Sequence, residues 1–170
     1  MSPHYLFKVI LVGSAAVGKT SMVLRYTTGR FREYYAPTLG ADFATRAVET
    51  SKGKVKLQIW DLGSQDFLGR VRAKYYRGAR GVLFLYDVTN KDSFREIEAW
   101  WKEVTSNVED TFNIIVANKT DRSDRIISTQ EGEELASRYS AGYMETSVKS
   151  NEGVDDLFAL MAKRIAEATI

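Results

Sequence analysis

Gly13-Ser14-Ala15-Ala16-Val17-Gly18-Lys19-Thr20 follows the spacing G-x-x-x-x-G-K-[ST], whose residue types suit phosphate. The glycines let the backbone curl, so that N–H groups from Ser14, Ala15, Ala16, Val17, Gly18, Lys19, Thr20 and Ser21 can face phosphate oxygens. The N-terminus of a following helix reinforces them with its dipole. Lys19 would bring a mobile cation to the outer phosphates, and the Thr20 hydroxyl suits Mg²⁺. The bland alternative, a glycine-rich turn that binds nothing, fits poorly with an apolar run before the motif and a helical pattern after it. Asn118-Lys119-Thr120-Asp121 is the second constellation. An ionised Asp121 can accept two hydrogen bonds from guanine N1–H and N2–H₂, whereas adenine N1 would meet it with a lone pair. Taken alone, these residues are equally well a polar turn after a strand. In the third, Glu145-Thr146-Ser147-Val148-Lys149, backbone N–H groups around Val148 could donate to guanine O6. The alkyl stems of Lys119 and Lys149 could cover the ring faces.

These loops need a scaffold, and the composition permits one. The 170 residues are 44% hydrophobic and 27% charged, which suits one folded domain over 1–170 and excludes disorder or a fibrous repeat. A net charge of +2 gives no argument for nucleic acid. The absence of cysteine excludes disulfides, thiolate metal sites, a cysteine nucleophile and thiol-linked lipid on this chain. A single histidine, His4, leaves little for histidine-based acid–base or zinc chemistry. No apolar run approaches 18 residues, and Met1 to Tyr5 reads as a short tail with no basic leader, so a cytoplasmic protein is expected.

Leu6–Val12, Val82–Tyr86 and Ile114–Ala117 are continuous apolar runs, the pattern of parallel strands covered on both faces. Lys54–Trp60 alternates, and Ser51-Lys52-Gly53 joins it to a β-tolerant stretch from Phe43 to Thr50 as a hairpin. Gly18–Tyr26 predicts a helix closed by Gly29, and Phe94, Ile97, Trp101 and Val104 predict another. Ser128 with Glu131 predicts a capping box, Tyr143–Thr146 a short strand, and the apolar spacing from Val154 to Ile165 a final helix. Strands alternating with helices predict an α/β fold with a mostly parallel sheet, whose ligands bind beyond the strand carboxyl ends.

Together the phosphate motif, Asn118-Lys119-Thr120-Asp121 and Thr146-Ser147-Val148-Lys149 resemble the motifs of Ras-superfamily small GTPases, in order, from about Leu6 to Ile165. Leu39 to Phe43, Lys56 to Asp61, Tyr75 to Ala79 and Tyr86 to Thr89 resemble segments of the Rab branch. The resemblance implies a P-loop NTPase-type three-layer sandwich: a six-stranded, mostly parallel sheet with one antiparallel edge strand and helices on both faces. It implies GTP and GDP as ligands and Mg²⁺ as cofactor, with Thr20 and Thr38 as metal ligands and Asp61 acting through water. Thr38 read alone is an ordinary loop hydroxyl beside Pro37. Phe31 matches the aromatic against the guanine, alongside Asn118, Lys119, Asp121, Ser147, Val148 and Lys149. Gln65 matches the glutamine that orients the hydrolytic water, with Lys19 taking up charge. An exchange factor, an activating protein and effectors are the implied partners of a monomer. Phe43, Trp60 and Tyr75 match an aromatic patch read by effectors; helix packing over Trp60 is the alternative. Rab-like chains usually end in a tail with prenylated cysteines, so peripheral membrane attachment depends on such a tail beyond residue 170.

Asp61-Leu62-Gly63-Ser64-Gln65-Asp66 departs from the family pattern Asp-x-x-Gly-Gln-Glu. Ser64 keeps the N–H that meets the γ-phosphate, but a position needing positive φ would cost serine roughly 1–2 kcal/mol unless Gly63 absorbs the bend. Modest acceleration of hydrolysis by Ser64→Gly is the resulting expectation. Arg70, Arg72, Lys74, Arg77 and Arg80 read first as a solvated helix face, and otherwise as a site for an acidic partner or membrane. No arginine is obviously placed in cis, which implies slow hydrolysis. A nucleotide-locked scaffold, with hydrolysis impaired by Ser64 in place of the family's glycine, is the alternative. A P-loop kinase or ATPase fails on Asp121 and on the lack of an acceptor-binding insertion.

Overall fold

The computed structural model describes residues 5–32, 38 and 40–170. His4, Pro37 and Leu39 lie outside the described residues. The first strand, β1 (Tyr5–Val12), alternates between two cores. Phe7, Val9 and Leu11 face one, and Ile10 and Val12 face the other. The first core is closed by α1 (Lys19–Thr28) and α6 (Val154–Thr169) through Met22, Tyr26, Leu157, Phe158 and Met161. The second is closed by α2 (Gly69–Tyr76), α4 (Ile97–Thr105) and α5 (Thr129–Arg138) through Tyr76, Ile97, Trp100, Val104 and Leu135. Apolar residues on both faces of the central strands thus require helices on both faces, giving three layers.

The remaining strands are β2 (Ala41–Thr50), β3 (Gly53–Leu62), β4 (Ala79–Asp87), β5 (Phe112–Asn118) and β6 (Gly142–Glu145), in the order β2-β3-β1-β4-β5-β6. Among the described strands, β2 and β3 form the one antiparallel pair. Asp61, Asp87, Asn118 and Glu145 stand at or near the carboxyl ends of their strands along one rim. The α/β sandwich with one antiparallel edge is therefore present as expected.

The helix predicted through Phe94 to Val104 is divided at Glu96 into α3 (Lys91–Arg95) and α4. Trp100 is buried there, whereas Trp101 is only partly covered and stacks on Tyr139 at 4.4 Å. Ser128 caps α5 by accepting from the Glu131 N–H, as the capping-box spacing predicts. Among the described residues, no helix is long and apolar enough to cross a membrane.

Candidate functional site

The phosphate motif links β1 to α1. Gly18 takes φ 107°, and a Cβ there would lie 2.4 Å from Asn118 Nδ2, so glycine is required on two counts. Ala16 also takes a left-handed φ, 64°, at a cost no glycine would bear. Lys19 is buried, and its Nζ donates to the carbonyls of Gly13 at 2.8 Å and Ser14 at 3.0 Å. These two contacts tie the ammonium to the start of the turn. Burial lowers its pKa to about 8, with Asp61 opposing and Arg72 reinforcing that shift. Ser14 hydrogen-bonds through its hydroxyl to Glu96, while Val17 is buried beneath the loop.

The base loops pack onto this turn. Asn118 is buried; its Nδ2 donates to the Val17 carbonyl at 2.9 Å, and its Oδ1 accepts from the Thr146 hydroxyl at 2.9 Å. Lys119, at φ 69°, donates to the Ala16 carbonyl at 2.7 Å and pairs with Asp87 at 3.0 Å. Asp121 accepts from the Ser147 hydroxyl at 2.7 Å. The Val148 N–H donates to Asn118 Oδ1 at 3.4 Å.

Beneath the loop, Glu145 accepts from Arg125 at 2.8 Å and from Tyr143 at 2.6 Å. Arg125 holds its pKa down to about 2, against the opposing effect of burial.

A cavity of about 390 Å³ lies between these loops, lined by Ala16, Gly18, Ser21, Phe31, Asn118, Lys119, Asp121, Val148 and Lys149. Phe31 sits under the Arg25 guanidinium, 5.5 Å from its ring centroid, and Arg25 donates to the carbonyls of Val148 and Lys149. Arg25 was not singled out from sequence; its only signal was a charge in the last turn of α1, beside the C-cap.

A smaller cavity of about 20 Å³ continues along Lys19, Thr20, Thr38, Gly63, Ser64 and Gln65. The Thr20 and Thr38 hydroxyl oxygens lie 2.7 Å apart, and each hydroxyl is within donating reach of Asp61 Oδ2. Asp61 is 3% exposed, yet its Oδ1 has no hydrogen-bond partner among the described residues. A buried carboxylate oxygen left unsatisfied beside two hydroxyls is a donor set suited to a hard cation. Among the described residues there is no group of three His, Cys, Asp or Glu that could hold a metal. A single carboxylate with hydroxyls suits Mg²⁺, which retains water and uses substrate phosphates as further ligands.

Ser64 is not at positive φ, so the expected penalty for serine does not arise. Gly63 is the restricted position: a Cβ there would lie 2.7 Å from both the Thr38 carbonyl and Gln65 Oε1. Gln65 lines the small cavity, and its Oε1 is buried without a partner among the described residues.

Arg72 corrects the reading of a solvated basic face. Arg70, Lys74 and Arg77 are exposed, but Arg72 is 4% exposed. Its spacing from Leu68 and Tyr76 is one helical turn either way, the one signal that it faces inward. The aromatic group is also more closely packed than an exposed face. Trp60 stacks on Phe43 at 4.6 Å and contacts Tyr75 at 5.2 Å, leaving Phe43 half exposed while Trp60 is partly covered.

A glycine-rich turn into a helix, with polar loops beyond the ends of β3 and β5, defines a P-loop α/β protein of the small-GTPase kind. The Ras family model matches residues 8–167. The Ras-related protein RABE1e of Arabidopsis thaliana is 39% identical over 166 residues, covering 96% of this chain and 76% of that relative. The Ras-related protein SEC4 of Candida albicans is 38% identical over 164 residues, covering 95% and 78%. The GTP-binding protein ypt2 of Schizosaccharomyces pombe is 37% identical over 171 residues, covering 99% and 86%. The chain belongs to the Ras family of GTPases, within its Rab-related branch.

Proposed function

We propose that residues 1–170 form one guanine-nucleotide switch domain that hydrolyses GTP slowly to GDP and acts in membrane traffic. The observation that carries this reading is the single cavity shared by Gly18 and Ser21 of the phosphate turn with Asn118 and Asp121 of the base loop. Asp121 reads the guanine N1–H and N2–H₂, Phe31 and the Lys119 and Lys149 stems cover the base, and Ser147 orients Asp121 through their hydrogen bond. The N–H groups of residues 14–21 and the Lys19 ammonium hold the phosphates. Thr20, Thr38 and, through water, Asp61 would hold Mg²⁺, which when bound neutralises charge on the phosphates.

In hydrolysis, water oriented by the Gln65 carboxamide attacks the γ-phosphorus and the bond to the β-phosphate oxygen breaks, giving GDP and phosphate. Ser64 contributes its N–H at the γ-phosphate. Positioning and charge neutralisation are the protein's main contributions to such transfers, a generalisation drawn partly from this family. An exchange factor, an activating protein and effectors engage the switch segments, with Phe43, Trp60 and Tyr75 as the effector patch. The domain works as a cytoplasmic monomer and has no nucleic-acid partner.

Calorimetric titration with GDP, GTP and ATP, followed by single-turnover hydrolysis of Mg²⁺-GTP, tests the reading. Guanine nucleotides should bind and ATP should not; equal binding of ATP overturns the base assignment. A second reading, a nucleotide-locked scaffold, draws on the Gln65 Oε1, which is buried without a partner among the described residues. It prevails if guanine nucleotides bind but GTP remains intact.

A further inference from the structure

We propose that Arg72 is a positioning residue for hydrolysis, holding the backbone on both sides of Ser64 and so fixing where the Gln65 side chain stands. The inference rests on the hydrolytic reading above. The Arg72 Nη1 donates to the Gly63 carbonyl at 3.0 Å and the Gln65 carbonyl at 2.6 Å. Its Nε and Nη2 grip the Glu103 carboxylate at 3.0 and 2.8 Å. The guanidinium also lies 4.7 Å from the Trp100 ring centroid, and the Tyr76 hydroxyl donates to Glu103 Oε2. Glu103 and Trp100 both belong to α4, which is seated in the second core by Ile97 and Val104. The loop after β3 is thereby referenced to a rigid helix and not to itself.

Among the described residues, few other bonds hold this loop. The Gly63 N–H donates to the Gly40 carbonyl at 2.7 Å, and the Leu68 N–H to the Gln65 carbonyl at 3.0 Å. A strut joining α2 to α4 would need only the contacts with Glu103; the two carbonyl contacts bracketing Ser64 go further. A buried ion pair is weak evidence for stability but can define geometry. Only a guanidinium presents a planar fork to a carboxylate while reaching two carbonyls, so lysine is a poor substitute. Committed to these partners, Arg72 acts on the loop and is not itself a charge donor to the phosphates.

The test compares the parent with Arg72→Ala, Arg72→Lys, Gln65→Leu and the double variant Arg72→Ala/Gln65→Leu, each loaded with Mg²⁺-GTP. Single-turnover hydrolysis should slow by about 10- to 100-fold in both Arg72 single variants, the effect of losing sub-ångström placement. Dissociation of GDP should change by no more than about twofold, because Arg72 acts on the water-orienting loop. Arg72→Ala should add nothing in the Gln65→Leu background, a non-additivity that a merely structural role would not produce. Hydrolysis of the Arg72 variants at the parent rate, or fully multiplicative effects, overturns the proposal. Hydrogen exchange across 63–68 supplies a readout independent of turnover. Faster exchange in Arg72→Lys supports the clamp, and unchanged exchange refutes it even if the alanine variant fails to fold. A parent that binds GDP but leaves GTP intact refutes the hydrolytic reading instead.

Discussion

Asn118 and Val17 are joined by a 2.9 Å hydrogen bond from carboxamide to carbonyl, across 101 positions of chain. Asn118 Oδ1 accepts from Thr146 at the same distance, so one buried side chain ties the phosphate turn to both base loops. Asn118→Ala strands the Val17 carbonyl and the Thr146 hydroxyl without partners. A loss of about 2–6 kcal/mol in unfolding free energy is expected, at roughly 1–3 kcal/mol per stranded group. Urea denaturation measures it, and a loss below 0.5 kcal/mol would deny Asn118 this role.

Asp121→Asn should weaken GDP and GTP by at least about 3 kcal/mol, because one neutral amide oxygen replaces a carboxylate facing two donors. Titration calorimetry reads the difference directly. Unchanged GDP affinity would remove Asp121 from the base site.

Ser64→Gly should leave single-turnover hydrolysis within about twofold of the parent, since serine bears no left-handed backbone penalty here. Gln65→Leu should slow it by about 10²-fold or more, by removing the group that orients water. A large gain from Ser64→Gly would mean that the loop takes another backbone form during turnover.

The phosphate and base motifs were legible because each is a short local pattern whose loop ends a recognisable strand. Arg72 was not legible. Its partner Glu103 lies 31 residues away, and a basic residue among Arg70, Lys74 and Arg77 looks solvated until the Leu68–Arg72–Tyr76 face is placed on the sheet. The packing of Trp60 depended in the same way on long-range contacts: strand alternation placed it opposite the core face, but Phe43 and Tyr75 arrive from separate elements. The division at Glu96 was masked by apolar spacing that continues through both α3 and α4.

Ala16→Gly should stabilise the protein. Relief of a left-handed alanine is worth roughly 1–2 kcal/mol, offset by about 0.4–1 kcal/mol of added freedom in the unfolded chain. The expected net gain of about 0.5–1 kcal/mol should raise the Tm by about 1–4 °C in calorimetry. A lower Tm would show that the methyl group supplies packing that exceeds the strain.

Lys19 gives nucleotide binding a pH signature. Its pKa in the folded protein, depressed by burial to about 8, lies below the ordinary 10.5, so the unfolded chain binds more protons between those values. Without an anion, this group's contribution to stability therefore rises with pH from about 8 to 10.5. Phosphate favours the charged ammonium, so GDP binding near pH 9 should take up protons, and affinity should fall as pH rises further. Calorimetry in two buffers of different ionisation enthalpy detects the uptake. Its persistence in Lys19→Ala would assign it to another group.

The sheet order also bears on the chain as it leaves the ribosome. β1 is synthesised first but lies between β3 and β4, so neither of its partner strands exists when it emerges. The nascent phosphate turn therefore emerges early without its tether, because Asn118 and Thr146 have yet to be made. Closing such distant contacts costs entropy before they return any stability, so nucleotide capture is a late event that waits for the second half of the domain. Ribosome-bound chains ending before residue 118 should retain no guanine nucleotide. Retention by them would show that the turn can organise itself without the second half of the protein.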